Sequence, residues 1–360
     1  MAEGPVAEGQ VAEGLMAEGP VAWDCQPPLQ AIPGEAALDG LVLMFPGQGA
    51  QKPRMGVDLL GLPSVKECFV AASDVFGFDI EALVRKGTEA ELQDTLFAQA
   101  TLLTLEIALT QLLRDQGVAP VAVLGFSLGQ ISALYASGIL SLEATLRLSR
   151  LRAEAMAQAA AARPGSMCAL LGADAATAQV LCTECAQEGV LVIANYNCPG
   201  QIVVSGDTEA VRRAQAAWCE TGRRAPMLAT TGAFHSPLMQ DAADKVQSFC
   251  ERLDFCPAST PLICNTDAGL FDPTEAPVRL ARHLTHPVLF QQSLEALASA
   301  GAEAFLEAGP GRTLGAFVKR VHSALTRYAV EDGQTLQAFL ALIGSGCEPR
   351  TRKVVNLGNE

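Results

Sequence analysis

Residues 121–136 run from the apolar stretch Val-Ala-Val-Leu through Gly125-Phe126-Ser127-Leu128-Gly129 into an apolar helix-like segment that begins at Gln130. Strand, glycine-flanked turn and helix in that order is how alternating α/β folds present a side chain at the carboxyl edge of a parallel sheet. A serine at the apex of a G-x-S-x-G turn has its hydroxyl exposed, and the next backbone N–H, here that of Leu128, points where an oxyanion would develop. The amino end of the following helix adds partial positive charge. Three fixed positions in five are easily matched by chance in a chain with 32 glycines. The buried strand before and the helix after separate this match from a plain glycine-rich turn.

Around that turn the chain reads as α/β. Ala-Glu-Gly recurs at positions 2, 7, 12 and 17, and Pro27, Pro28 and Pro33-Gly34 follow, so residues 1–39 are expected to be a disordered low-complexity tail and linker. The body starts with the strand-like run 41–45, ending in Pro46-Gly47-Gln48-Gly49. A helix over 100–115 and the strand over 121–124 come next, then a helix over 142–160. Between 164 and 231 the units shorten: strand 166–171, helix 175–188, strands 190–196 and 201–205, helix 208–221, strand 225–230. That βαββαβ order is the ferredoxin-like unit. The alternating pattern resumes at 260–264 and 304–306. The expectation is therefore a large α/β-hydrolase-like domain with a parallel sheet over 40–163 and 232–344, an inserted ferredoxin-like subdomain over 164–231, and a polar tail over 345–360. Two units imply a cleft, where sites form.

Composition narrows the partners. A formal net charge of -14 repels the phosphates of nucleic acid. Although 49% of residues are apolar, no uninterrupted apolar run approaches the roughly 18 to 20 residues of a membrane span, so a soluble monomer is expected. Eleven cysteines without regular spacing or a cleavable leader point to the reducing cytoplasm over a disulfide framework. The lone CxxC pair, Cys182 and Cys185, falls in a helical segment with no second Cys or His pair. A structural zinc site recruits four ligands, so no metal is expected.

A serine nucleophile needs a base, and the chain holds four histidines: His235, His283, His286 and His322. His235, in Gly232-Ala233-Phe234-His235-Ser236-Pro237, stands where the chain returns from the small unit across the cleft, and is preferred. His286 precedes Pro287 and reads as a turn residue, His322 as an ordinary helix residue. Gln48, at the end of the first strand, can bring its N–H to the same sheet edge as a second oxyanion donor. Arg152 offers a rigid bidentate partner for a carboxylate. Periodicity alone instead reads Arg147, Arg150 and Arg152 as solvent-facing helix charges.

Taken together, these residues resemble the malonyl-CoA:acyl carrier protein transacylases and the related acyltransferase domains of fatty acid and polyketide synthases. The likeness runs from about Leu41 to about Ala324. It rests on Phe45-Pro46-Gly47-Gln48-Gly49, on the Ser127 turn with Ser132-Ala133-Leu134, and on Arg147 through Arg152. Asn195-Tyr196-Asn197-Cys198-Pro199-Gly200-Gln201, the His235 segment and Glu307-Ala308-Gly309-Pro310-Gly311 continue it in order. The resemblance implies transfer of malonyl from malonyl-CoA to the phosphopantetheine thiol of an acyl carrier protein through a Ser127 acyl-enzyme. His235 would be the base, the N–H groups of Gln48 and Leu128 the oxyanion hole, and Arg152 the grip on the malonyl carboxylate. No cofactor is implied. Phe234 before His235 is similar to the malonyl-selecting version of that motif. Phe126 and Gln130 stand where the family has histidine and glutamate, and His283 stands where it has a glutamine beside the catalytic histidine. Phe126, Phe234 and His283 are thus expected around the reacting residues. A backbone carbonyl at 283 tolerates the exchange; a required side chain does not.

Three other readings use the same turn. A serine hydrolase needs an acid between nucleophile and histidine, for which Asp174 or Asp207 could serve. A non-catalytic assembly subunit would explain Phe126, Gln130 and His283. A stand-alone acyltransferase of a polyketide pathway differs only in its carrier.

Overall fold

The computed structural model describes residues 40–344. The tails expected over 1–39 and 345–360 lie outside the described residues. Among the described residues eight strands build two sheets: β1 (Leu41–Phe45), β2 (Ala122–Gly125), β3 (Gly165–Leu171), β4 (Leu191–Cys198), β5 (Gln201–Asp207), β6 (Leu262–Ile263), β7 (Ala304–Ala308) and β8 (Thr326–Val330). The larger sheet has the order β6-β2-β1-β7-β8, and every neighbouring pair is parallel. Parallel strands are buried on both faces, so they read as continuous apolar runs. In β1 the alternation still sorts the side chains. Leu41, Leu43 and Phe45 enter the core built with helices Pro63–Phe76, Thr95–Asp115 and Leu142–Ala162, while Val42 and Met44 meet helices Phe290–Ser299 and Thr313–Val321.

Helix Thr95–Asp115 is long and apolar enough to cross a bilayer by length and composition, with a mean hydropathy of 1.5 in its best window. That window is 83% buried inside the fold, and its polar side chains Gln99, Thr101, Thr104 and Glu106 face protein. It is a core helix. It starts five residues before the expected 100, because the Asp94 side chain accepts from the N–H groups of Leu96 and Phe97 and fixes the first turn.

The smaller sheet is antiparallel, in the order β3-β5-β4. Helices Ala175–Ala186 and Thr208–Glu220 cover one face around Cys168, Ile193, Val204 and Trp218. Its other face gives Met167, Ala169, Ala194 and Val203 to the large core. The strand expected over 225–230 is not one. Only the bridge between Cys168 and Met227 forms, with Ala169 N–H donating to Pro226 C=O at 3.0 Å and Leu228 N–H to Met167 C=O at 2.9 Å. Pro226 has no N–H to extend a ladder. The ferredoxin-like βαββαβ expectation thus loses its last strand, and the hydrolase-like one reduces to a parallel α/β sheet bearing a G-x-S-x-G turn. Cys182 and Cys185 are buried in the small unit's core as free thiols. Among the described residues no group of three or more His, Cys, Asp or Glu could hold a metal ion.

Two backbone bonds join the units directly. Tyr196 N–H donates to Val288 C=O and Val288 N–H to Ala194 C=O, both at 2.9 Å, so β4 is bridged to the segment that follows helix Ala276–Thr285. At the opposite edge, β8 and helix Gly333–Gly344 lie beyond the reach of the sequence resemblance. Leu336, Phe339 and Ile343 fasten the helix to the core, and Tyr328 meets Phe339 edge to face at 5.3 Å.

Candidate active site

The carboxyl ends of β1, β2 and β6 lie side by side, which brings Gln48, Ser127 and Asn265 to one edge of the sheet. Glycines make the turn after β2 possible by close approach: a Cβ on Gly125 would run into the backbone of Gly129 and Gln130, and one on Gly129 into the Phe45 carbonyl. Phe126 N–H donates to Phe45 C=O at 2.9 Å, and Gly129 N–H to Phe126 C=O at 3.0 Å, so the turn closes immediately into helix Gly129–Ala136. Ser127 at its apex has φ 53°. A non-glycine residue there costs about 1–3 kcal/mol and persists only where the surroundings over-determine it. His235 shares this condition, with φ 57°.

The two side chains meet: Ser127 Oγ lies 2.7 Å from His235 Nε2. His235 Nδ1 lies 2.8 Å from the backbone carbonyl of His283. A carbonyl only accepts, so Nδ1 carries the proton and Nε2 offers its lone pair to the serine hydroxyl. Burial first, and then the Arg152 charge, push the His235 pKa down to about 4, leaving a neutral imidazole at neutral pH. Neither acid proposed for a hydrolase reaches it. Asp174 caps helix Ala175–Ala186 through Thr177 N–H, and Asp207 accepts from Val190 N–H. The third position of the triad is a backbone carbonyl.

Arg152 points inward from helix Leu142–Ala162 and is 2% exposed. One amino group donates to Gln99 Oε1 at 2.6 Å, another lies 3.5 Å from Ser127 Oγ, and Nε has no partner among the described residues. Among the described residues it meets no carboxylate. Burial pulls its pKa down to about 10, which leaves it charged. A buried cation with no anion is costly, and an anionic group beside Ser127 would relieve it. The solvent-facing reading fails for Arg152, and its neighbours are half-buried and paired: Arg147 with Glu143, and Arg150 with Glu154 and the Val75 carbonyl.

Among the described residues the N–H groups of Gln48 and Leu128 have no partner. The Gln48 side chain reaches Thr95 Oγ1 at 3.4 Å, and Thr95 in turn meets Thr231, just before the His235 segment. Phe126 packs in an aromatic cluster, edge to face with Phe290 at 5.2 Å and tilted against Phe317 at 6.1 Å, with its ring close against Gly47. Phe234 is buried in the large core. Gln130 is fully buried, its Oε1 accepting from Asn265 N–H at 2.6 Å. His286 and His322 are exposed residues at helix ends; the His286 ring meets Thr285 Oγ1 at 2.9 Å, and it is the His286 backbone, not its ring, that comes up to His235.

Three residues that sequence reading passed over belong to this site. Asn265 follows β6, and its place just past a parallel strand was the available signal. Gln99 holds Arg152. Glu106 lies behind the turn, accepts from the Ser132 hydroxyl, and is pushed well above the usual carboxylate range by burial.

A family model described as an acyl transferase domain matches residues 42–336. The malonyl CoA-acyl carrier protein transacylase of Bacillus subtilis (strain 168) is 36% identical over 301 residues, covering 82% of this chain and 95% of that protein. The transacylase of the same name from Escherichia coli (strain K12) is 36% identical over 304 residues, covering 83% and 98%. Among solved structures, the malonyl-CoA:acyl carrier protein transacylase of Xanthomonas oryzae superposes with a TM-score of 0.81 at 36% identity, covering 85% of this chain and 98% of that one. A malonyl-transacylase in complex with its type II PKS acyl-carrier protein gives 0.80 at 35%, covering 84% and 99%. With its serine, histidine and inward arginine assembled on one sheet edge, the chain belongs to the acyl transferase domain family, among the malonyl CoA-acyl carrier protein transacylases.

Proposed function

We propose that the protein transfers a malonyl group from malonyl-CoA to the phosphopantetheine thiol of an acyl carrier protein, supplying fatty acid biosynthesis. The observation that carries this is Arg152, a buried guanidinium without a carboxylate, 3.5 Å from Ser127 Oγ. An acyl group with a free acid would place its carboxylate there and its thioester carbon on the serine.

His235 Nε2 takes the Ser127 proton as Oγ attacks the thioester carbonyl. The N–H groups of Gln48 and Leu128 hold the oxyanion, helped by the amino end of helix Gly129–Ala136. The C–S bond breaks, the proton passes from His235 to the departing CoA thiolate, and a malonyl-serine ester remains. The carrier thiol then gives its proton to His235 and attacks the ester, and Ser127 leaves with that proton. No step uses a cofactor, since the phosphopantetheine arrives on the partner. Phe234, behind His235, favours malonyl over its branched homologue. The protein acts as a cytoplasmic monomer, without nucleic acid or membrane, on a large parallel unit with a smaller three-stranded antiparallel unit beside it.

Intact mass after incubation with malonyl-CoA tests the scheme. Wild type gains one malonyl adduct, Ser127→Ala gains none, and holo carrier protein discharges the adduct faster than water does. An adduct that survives Ser127→Ala, or one released only as free malonate, overturns it. A polyketide carrier is the second reading, favoured by the likeness to a malonyl-transacylase held by a type II PKS carrier. Discharge rates toward the two carrier types decide between them.

A further inference from the structure

Ser127 and His235 reach each other from separate elements, both in the left-handed region, and the Ser127 backbone is linked through a single side-chain oxygen to the residue that holds the His235 ring. Asn265 Oδ1 accepts from Ser127 N–H at 3.0 Å and from His283 Nε2 at 3.1 Å. His283 in turn offers its carbonyl to His235 Nδ1 at 2.8 Å. Asn265 is itself fixed on every side: Nδ2 donates to Gly125 C=O at 2.7 Å, its N–H to Gln130 Oε1 at 2.6 Å, and its C=O accepts from Leu289 N–H at 2.7 Å. The amide orientation follows from these partners, since Gly125 C=O requires a donor and Ser127 N–H an acceptor. Nucleophile turn and base-bearing segment are thereby referred to one fully buried anchor.

Resting on the reading of Ser127 as nucleophile and His235 as base, we propose that Asn265 and the His283 side chain are a positioning pair that sets the Ser127–His235 geometry. His283 acts as a donor here, not as a proton relay. Its Nε2–H is committed to Asn265, its Nδ1 has no partner among the described residues, and its ring meets the His235 ring at 5.4 Å and 49° without a bond between ring nitrogens. Burial first, and then His235 and Arg152, the charged or titratable groups that act on it, disfavour a positive charge on its ring. The side chain at 283 therefore matters by a route separate from its carbonyl. Glutamine, an amide donor of similar reach, can serve the same bond to Asn265.

The test compares His283→Leu, His283→Met and His283→Gln in the full-length protein by melting temperature, malonyl transfer kinetics and the rate at which a fluorophosphonate labels Ser127. A loss of alignment on the ångström scale costs up to about 10²-fold in rate. His283→Leu and His283→Met should lower kcat and the labelling rate together by roughly 10-fold or more, with KM for malonyl-CoA within about 2-fold, because Arg152 is untouched. His283→Gln should restore both rates to within about 3-fold of wild type. Apolar variants that label and turn over at the wild-type rate overturn the proposal. So does a His283→Gln protein that melts like wild type yet works at a tenth of its rate, whether or not the apolar variants fold. Wild-type protein that is labelled on Ser127 but transfers no malonyl would sink the transferase reading while the labelling series still judges the positioning pair.

Discussion

Arg152 and His235 share one small buried volume, and burial first, then the charge of Arg152, keeps His235 neutral. The base form of His235 should therefore persist far below the ordinary histidine range, with the acid limb of acyl-serine formation near pH 4, not near 6.5. Rate is present above that value and lost as pH falls through it. In Arg152→Ala the cationic neighbour is gone and the histidine is easier to protonate. The limb should move to higher pH, while burial, the larger cause, still holds it below 6.5. The same variant should lose at least about 10-fold in kcat/KM for malonyl-CoA and gain relative preference for acetyl-CoA, measured by competing the two thioesters. Unchanged preference would remove the carboxylate role. Arg152 was more legible in the sequence than its two arginine neighbours suggested: Leu148, Arg152 and Met156 recur at intervals of four and are all buried on the inward stripe of helix Leu142–Ala162. Asn265 was not legible in that way. Its partners come from β2, helix Gly129–Ala136 and helix Ala276–Thr285, and no local pattern announces a hub assembled from remote segments.

Among the elements, the turn between β2 and helix Gly129–Ala136 is the least tolerant of change. Gly129→Ala would set a methyl group on the Phe45 carbonyl, which β1 cannot move without leaving its pairing with β2. A loss of about 1–3 kcal/mol in unfolding free energy is expected, with slowed labelling of Ser127, read by denaturant titration and by probe kinetics. A stable, fully reactive variant would mean that the turn yields more easily than its contacts imply. β1 and helix Leu142–Ala162 were readable because burial on two faces, or on one stripe, leaves a periodic trace. Elements at the margins left none. The segment after Arg224 has strand-like composition, yet Pro226 reduces it to a bridge. β8, at the open edge of the sheet, alternates too weakly to be seen, and it acquires its role only once β7 is there to pair with it.

Over the whole molecule, stability and chemistry draw on different regions. Phe339 packs against Tyr328 outside the site. Phe339→Ala should cost about 3–5 kcal/mol and lower the melting temperature while KM for malonyl-CoA stays as in wild type. A change in KM would show that helix Gly333–Gly344 communicates with Ser127. Between the two sheets the situation differs, because the bonds of Val288 to Ala194 and Tyr196 bind β4 to the chain that has just left His283. A small unit hinged like a jaw would have to break that ladder at each opening. On the proposed reaction, the carrier's arm then threads a slot of constant width, as a needle enters a fixed eye. Turnover should then be paced by insertion and withdrawal of the arm. Stopped-flow traces should show a single phase that slows in proportion to added viscogen, with no separate closing step.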